Sequence, residues 1–123
     1  MESDIVILLA SVMLGEAGVL GEEAMLAVGH VIMNRVSSDF FPNTVTEVVE
    51  QPNQWNGRTI PHGYEEALAR QVLRRNHDPT KGMLYSLSEN DRRKLKFPIG
   101  DKIYEWKVFK IHLYKEWPTF AQK

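Results

Sequence analysis

The chain has no cysteine among its 123 residues, and that absence excludes several kinds of chemistry. Without thiols there is no disulfide framework, no cysteine nucleophile and no thiolate metal site. Residues 2–4 are Glu2, Ser3 and Asp4, an acidic start that is unlike the basic start of a signal peptide. We therefore expect a protein that is made in the cytoplasm and that relies on other machinery if it acts outside the cell.

A strong net charge is also missing, since the formal net charge is −1. No nucleic-acid partner is expected, because nucleic-acid-binding domains usually carry a basic patch and a basic balance. The charges are nevertheless uneven, with a net charge of −6 over residues 1–60 and +5 over residues 61–123. Solvated helix faces explain the basic half, and attraction to an anionic polymer is the alternative.

Long hydrophobic runs are also absent from the sequence. The most apolar stretch, residues 5–14, contains Ser11 and falls short of the roughly 18 residues that a membrane span requires. The sequence therefore predicts no stable membrane insertion.

The residues that are present indicate an ordinary globular protein, with 43% hydrophobic and 25% charged residues. The length suits one domain over residues 1–123. Apolar residues at helical spacing predict three longer helices, over residues 3–14, 22–36 and 64–76. Thr44 and Glu47 have the spacing of a capping box and predict a short helix through residue 49 or 50.

Partial alternation of apolar and polar residues predicts two strands, over residues 83–87 and 103–109. The predicted fold is therefore α+β and mainly helical, with a small antiparallel β-sheet late in the chain.

Glu16 is the residue that most clearly suggests catalysis. It ends an apolar helical run and stands among small residues, with Gly15 before it and Ala17 and Gly18 after it. A packed helix can hold such a carboxyl group while the glycines leave room for a large ligand. A glycosidic oxygen is a poor leaving group unless it is protonated as the bond breaks, so the position suits the general acid of a glycosidase.

The histidines do not form a catalytic pattern. There are four, without an H-E-x-x-H motif, at His30, His62, His77 and His112. Scattered histidines are usually structural, so no metal site is predicted, and a zinc peptidase or amidase is the rival enzyme class. The sequence also lacks the G-x-S-x-G elbow of many serine hydrolases.

Six short segments are informative when they are taken together. They are Glu16-Ala17, Asn34-Arg35, Phe41-Pro42-Asn43-Thr44-Val45, Gln51-Pro52-Asn53-Gln54-Trp55, the segment from Asp78 to Tyr85, and His112-Leu113-Tyr114. In this order they resemble the cell-wall hydrolase family typified by the spore-cortex lytic enzymes of spore-forming bacteria. The resemblance covers roughly residues 9–114 and implies a fold similar to goose-type lysozymes and lytic transglycosylases.

The resemblance also implies roles for individual residues. Glu16 would be the catalytic acid, and Glu23 falls on a position that is often acidic in the family and would bind substrate. Apart from the resemblance, Trp55 and Tyr85 are expected to bind substrate because aromatic rings can stack on sugar faces, with Ser86 beside Tyr85; core packing is the alternative for the Tyr85 ring. A helix-capping role for Glu23 and core packing of Trp55 are the alternatives. Asn34 and Arg35 are expected to stabilise the end of the second helix and the loop at Phe41-Pro42 rather than to touch sugar.

The expected function is cleavage of peptidoglycan glycan strands between N-acetylmuramic acid and N-acetylglucosamine by a monomer without a cofactor. A lytic transglycosylase that forms 1,6-anhydromuramic ends is favoured, because it needs no second carboxylate. The alternatives are a muramidase-type hydrolase that uses Glu22, Glu23 or Asp39 as a second carboxylate, and a non-catalytic glycan-binding module. The expected site of action is the bacterial cell wall or periplasm, and a phage lysin would explain the expected delivery by other machinery.

Overall fold

The structure is a computed structural model that describes residues 2–51, 55, 57–75, 78, 85–88, 105–108 and 111–114. Its helices are α1 (Glu2–Ala17), α2 (Glu22–Val36), α3 (Val45–Val49) and α4 (Gly63–Leu73). A short 3₁₀ turn, Gly18–Leu20, joins α1 to α2. The mainly helical fold predicted from the sequence is confirmed.

Helix α1 lies at the centre of the helical core, where it contacts α2, α3 and α4. Its buried residues include Val6, Leu9, Val12 and Met13. The helix continues past Gly15 to Ala17, three residues beyond the predicted end. Burial of apolar side chains therefore outweighs the roughly 1 kcal/mol that one glycine costs within a helix.

The length of α1 corrects one expectation from the sequence. The 18 residues Ser3–Leu20 have a mean hydropathy of 1.8, so their length and composition would allow this helix to cross a membrane. Ser11 does not interrupt the helix, since its hydroxyl donates a hydrogen bond to the carbonyl of Leu8 at 2.7 Å. Core helices of soluble proteins pass the same test, and the absence of membrane insertion stays a prediction.

Helix α2 has the predicted bounds and packs between α1 and α4. The approach is closest at Gly29, where an added Cβ atom would lie 2.9 Å from Met13 Sδ and 2.9 Å from Val72 Cγ2. Such distances are too short for a real contact, so a side chain at this position would displace the Met13 or Val72 side chain and overpack the core. Helix α2 therefore depends on a glycine at its centre.

Helix α3 begins at the predicted N-cap, Thr44, and shows one of the two contacts of a capping box. The hydroxyl of Thr44 accepts a hydrogen bond from the backbone N–H of Glu47 at 3.2 Å. This contact satisfies one of the backbone N–H groups that the first turn of a helix leaves without a partner. Val45, Val48 and Val49 are buried, so the capped helix is also fixed by packing against the core.

Helix α4 is shorter than predicted. Near its start, Glu65 accepts a hydrogen bond from the backbone N–H of His62 at 2.8 Å. The helix ends at Leu73, and Arg75 has a φ of 55°, in the left-handed region that a helix cannot include. The predicted end at residue 76 lies outside the described residues.

Three strands follow, β1 (Tyr85–Ser88), β2 (Glu105–Val108) and β3 (Ile111–Tyr114). The strand order is β1-β3-β2 and both pairs are antiparallel, with Leu113 opposite Ser86 on one side and Trp106 on the other. The strands β1 and β2 fall within or beside the predicted ranges, whereas β3 was not predicted. Because these strands are short and the segments between them lie outside the described residues, the sheet as a part of the family fold stays a prediction.

Candidate active site

Glu16 occupies the last turn of α1, where the buried helix reaches the surface. Its side chain is partly exposed, and the preceding turn of the helix, at Val12 and Met13, is fully buried. The Oε1 atom accepts a hydrogen bond from the backbone N–H of Gly57 at 3.0 Å. The carboxyl group is therefore held from one side by the main chain while part of it faces solvent.

The loop at residues 57–60 is packed directly on the end of α1. A Cβ atom added to Gly15 would lie 2.4 Å from the backbone nitrogen of Arg58, and one added to Gly57 would lie 2.6 Å from the carbonyl oxygen of Gly15. The two glycines therefore allow the two main chains to touch, since any side chain at either position would separate them. The backbone N–H of Thr59 also donates to the carbonyl of Ser11 at 3.1 Å.

The side chain of Arg58 makes a second set of contacts that holds the same loop. The guanidinium group of Arg58 donates to a carboxylate oxygen of Glu50 at 3.2 Å and lies 3.5 Å from the carbonyl of Val49. Both partners lie at the end of α3, so this contact joins the loop to a second helix. The position of the Gly57 N–H thus depends on both α1 and α3.

Three exposed side chains stand on the segments that lead away from Glu16. Val19 is 99% exposed on the 3₁₀ turn, and Ile60 and Tyr64, which are 84% and 53% exposed, follow the Gly57 loop. The hydroxyl of Tyr64 donates a hydrogen bond to the carboxylate of Glu22, which joins the first turns of α4 and α2. That hydrogen bond is the main cause of a pKa of Tyr64 above its usual value.

The three candidates for a second carboxylate have different positions and contacts. Glu22 is engaged with Tyr64, and Glu23 is exposed in the first turn of α2. Asp39 lies beyond the far end of α2, which is about 21 Å long at 1.5 Å per residue. An acid at the end of α1 could not work with Asp39 across the 6.5–9.5 Å that an inverting glycosidase uses.

Asn34 and Arg35 make contacts of the structural kind that the sequence predicted. The side-chain amide of Asn34 donates to the carboxylate of Asp78 at 3.0 Å. The guanidinium carbon of Arg35 lies 4.7 Å from the centre of the Phe41 ring and 5.2 Å from that of Trp55. These two residues therefore tie the end of α2 to three separate segments of the chain.

The remaining predicted substrate-binding residues are placed unequally. The side chain of Trp55 is only 6% exposed and belongs to the hydrophobic core, an environment that favours the packing alternative. Its indole N–H is nevertheless buried, and no described residue accepts a hydrogen bond from it. Tyr85 and Ser86 lie on β1, but their side chains fall outside the part of the chain that is described. Substrate binding by Glu23, Trp55, Tyr85 and Ser86 stays a prediction.

Gly57 was not predicted from the sequence, although its backbone N–H donates a hydrogen bond to Glu16 in the described part of the chain. A backbone N–H carries no sequence signature, so only the glycine itself, in a loop rich in turn-forming residues, could have drawn attention to this position. Within the described residues there is no group of three or more His, Asp or Glu side chains that could hold a metal ion. The absence of a metal from the site stays a prediction.

Comparison with known proteins places the fold and the family. The catalytic domain of the Bacillus cereus SleB protein superposes with a TM-score of 0.70 at 23% sequence identity, over 93% of this chain and 90% of that one. The catalytic domain of the germination-specific lytic transglycosylase SleB from Bacillus anthracis gives the same TM-score and identity, over 93% of this chain and 94% of that one. At this identity the likeness establishes the fold. No curated protein sequence matches the chain.

The family itself follows from a sequence match. The model of the Cell Wall Hydrolase family matches residues 21–112, about three quarters of the chain. Glu16 lies five residues before the matched segment, so its role depends on the geometry of the site rather than on the match. The chain belongs to the Cell Wall Hydrolase family.

Proposed function

We propose that the chain cleaves the glycan strands of peptidoglycan between N-acetylmuramic acid and N-acetylglucosamine as a lytic transglycosylase. The observation that carries this proposal is the placement of Glu16, whose carboxyl group is anchored by the Gly57 N–H at 3.0 Å and is partly exposed at the end of a buried helix. A general acid needs both properties, a fixed position and access to the leaving-group oxygen.

The reaction needs one carboxyl group in two roles. Glu16 first gives its proton to the glycosidic oxygen as the bond to C1 of the muramoyl residue breaks. The resulting carboxylate then accepts the proton of the C6 hydroxyl, and O6 bonds to C1 to close a 1,6-anhydro ring. The proton count is balanced, because Glu16 ends the cycle protonated, and water is not a reactant.

A transglycosylase uses Glu16 alone, whereas a hydrolase would also need Glu22 or Glu23, since Asp39 is too far from Glu16. A hydrolase uses a second carboxylate at about 5 Å or 6.5–9.5 Å, depending on its stereochemistry. Among the acids of the described residues that were candidates for this role, Glu22 is bonded to Tyr64 and Asp39 is beyond the far end of α2. The similar Bacillus anthracis protein is described as a lytic transglycosylase, and the same chemistry fits this site.

The proposed substrate-binding surface begins at Glu16 and continues to the first turn of α2. Glu23 is exposed in the first turn of α2, where its carboxylate could accept hydrogen bonds from sugar hydroxyls. We also assign Tyr85 and Ser86, on β1, to this substrate-binding surface. We propose that the small sheet belongs to a lysozyme-like fold. Trp55 is buried, so it would contribute through packing rather than through contact with sugar.

The test is digestion of purified peptidoglycan, with mass spectrometry of the soluble fragments and Glu16→Gln in parallel. Fragments that end in 1,6-anhydromuramic acid are expected with the wild type, and none with Glu16→Gln. Glu66→Gln is a matched control, because this residue makes only a 4.0 Å contact with Arg70 on α4. It should leave the products unchanged.

Other products would identify the alternatives. Reducing muramic ends would establish a hydrolase and direct attention to Glu22 and Glu23 as the second carboxylate. Binding of peptidoglycan without release of fragments, by both the wild type and Glu16→Gln, would establish a glycan-binding module. Cut peptides on intact glycan strands would contradict the glycosidase proposal and favour a peptidase or amidase.

The proposed substrate also sets the proposed site of action, which is the bacterial cell wall. Purified protein added to permeabilised cells should lower the turbidity of the suspension, and Glu16→Gln should not. Intact cells are the control, since an outer barrier would keep the protein from its substrate.

A further inference from the structure

The two oxygens of the Glu16 carboxyl group have different environments. Oε1 accepts the N–H of Gly57 at 3.0 Å, whereas no described residue is recorded as a hydrogen-bond partner of Oε2. We propose that the backbone N–H of Gly57 is a positioning group for catalysis, which keeps Oε1 as an acceptor and leaves Oε2 to carry the transferred proton. This inference rests on the proposed function and names how the same site performs both of its steps.

The rigidity of the Gly57 N–H is the first argument. Its loop touches α1 through the main chains of Gly15 and Gly57, where an added Cβ atom would meet backbone atoms at 2.4–2.6 Å. Two residues later, Thr59 is bonded to the carbonyl of Ser11 at 3.1 Å. A donor held at Gly57 and again at Thr59 has little freedom to move, so the carboxyl group orients itself toward the donor.

The chemistry of a protonated carboxyl group is the second argument. Its carbonyl oxygen is the better hydrogen-bond acceptor, whereas its hydroxyl oxygen carries the proton that must be donated. With Oε1 bonded to Gly57, the acid is more stable with its proton on Oε2, which then faces the glycosidic oxygen. After transfer, the same Oε2 is free to accept the proton of the C6 hydroxyl without any rotation of the side chain.

The third argument concerns the strength of the hydrogen bond during the reaction. An N–H bond to a neutral carbonyl oxygen is weaker than one to a carboxylate, by roughly a factor of two. The bond from Gly57 therefore strengthens as Glu16 becomes charged, when the sugar becomes cationic. A contact that is stronger in the transition state than in the ground state lowers the barrier rather than only tightening binding.

The sharpest test replaces the amide at position 57 by an ester, through incorporation of glycolic acid in place of glycine during cell-free translation. The change deletes the N–H and adds no atom to the crowded contact with Gly15. A hydrogen bond to a charged group contributes enough for kcat to fall about 10- to 100-fold, while KM should change less than about twofold. The matched control is glycolic acid at position 63, because the first N–H groups of a helix have no intrahelical partner.

The product ends provide a readout that a merely structural role would not change. Without the Gly57 N–H, the Glu16 carboxylate can turn away after the first step, and water then competes with the C6 hydroxyl. The ratio of reducing to 1,6-anhydro ends should therefore rise in the ester variant. The variant should keep its melting temperature within a few degrees, since it loses one hydrogen bond in a loop.

Gly57→Ala is the second variant and acts by displacement. Its Cβ atom would lie 2.6 Å from the carbonyl oxygen of Gly15, so the loop must retreat by about 0.8 Å to reach an ordinary contact. A misplacement of this size can cost about 10²-fold in rate. Gly63→Ala, with no atom within 4 Å of its added Cβ, is the control.

The inference is overturned if the ester at position 57 keeps kcat and the product ratio of the wild type. Failure of the proposed function has a different signature, because the wild type itself would then release no 1,6-anhydro fragments. Gly57 is established as the positioning group of Glu16 if the ester at position 57 lowers kcat and raises the share of reducing ends, while the ester at position 63 changes neither.

Discussion

Removal of the buried guanidinium of Arg35 should destabilise the protein more than removal of any surface charge. Arg35 is among the largest side chains that are fully buried in the described core. It stacks against the rings of Phe41 and Trp55 at 4.7 and 5.2 Å, and its Nη1 atom lies 3.4 Å from the Oε1 atom of Gln51. Arg35→Ala is the perturbation, and Arg35→Lys tests whether charge alone is sufficient.

The magnitude can be estimated from these contacts. Each cation–π contact away from water contributes about 1–2 kcal/mol, and the long hydrogen bond about 0.5 kcal/mol. The two methylene groups that alanine lacks contribute about 1.6 kcal/mol. Alanine also avoids the cost of burying a charge, which offsets roughly 2 kcal/mol. The expected loss of unfolding free energy is therefore about 2–4 kcal/mol for Arg35→Ala.

Lysine should restore less than half of this loss. Its compact ammonium group is more strongly hydrated than guanidinium and cannot lie flat against two rings. Urea unfolding, followed by circular dichroism at 222 nm, measures both variants. Arg70→Ala is the control, because Arg70 is exposed and makes only a 4.0 Å contact with Glu66, so its loss should stay within about 0.5 kcal/mol. A loss below about 1 kcal/mol for Arg35→Ala, or full stability with lysine, would refute the reasoning.

Three further predictions follow from single contacts. Gly29→Ala should lower the free energy of unfolding by about 1–3 kcal/mol in urea titration, because its Cβ atom would overpack α2 against Met13 and Val72; Gly63→Ala should not. Thr44→Ala should lower the free energy of unfolding by about 1 kcal/mol in the same assay, because the α3 cap is lost. Thr44→Ser should retain most of the stability that the cap provides. Glu22→Gln should lower the pKa of Tyr64 toward its usual value, because the hydrogen bond and charge of Glu22 raise it. Ultraviolet absorbance of the phenolate, with Tyr64→Phe to identify the signal, measures the shift. The stabilising contribution of this raised pKa is present below the usual tyrosine pKa and is lost as the pH rises through the folded value.

The helical part of the fold was predictable where periodicity and capping agreed. Helix α2 has the predicted bounds, and α3 begins at the predicted cap, because each combines an apolar face with a clear local signal. Helix α1 outruns its prediction because Gly15 is tolerated once the helix is buried. Helix α4 ends early because Arg75 adopts a left-handed conformation, which no pattern in that part of the sequence indicated.

In the candidate site, the sequence could predict a side chain but not a backbone group. Glu16 was identified because a carboxylate among small residues at a helix end is unusual and suits an acid. The buried position of Trp55 beside Arg35 was less clear, since an aromatic residue in a polar loop is compatible with either packing or sugar binding. The contact from Gly57 could not be predicted, because it joins residues that are 41 apart in sequence through a backbone group.

Family membership and activity are therefore separate questions for this chain. The matched segment begins at residue 21, so it includes Gly57 but neither Glu16 nor Gly15. The proposed acid, and the glycine that lets the positioning loop reach it, both lie in α1 outside that segment. A related sequence could match the family over the same residues and still lack the acid or carry a side chain at the glycine crossing. Such a protein would keep the fold without the geometry. A useful criterion for activity in relatives of this kind is thus the combination of a glutamate at the end of the first helix with glycines at both crossing positions.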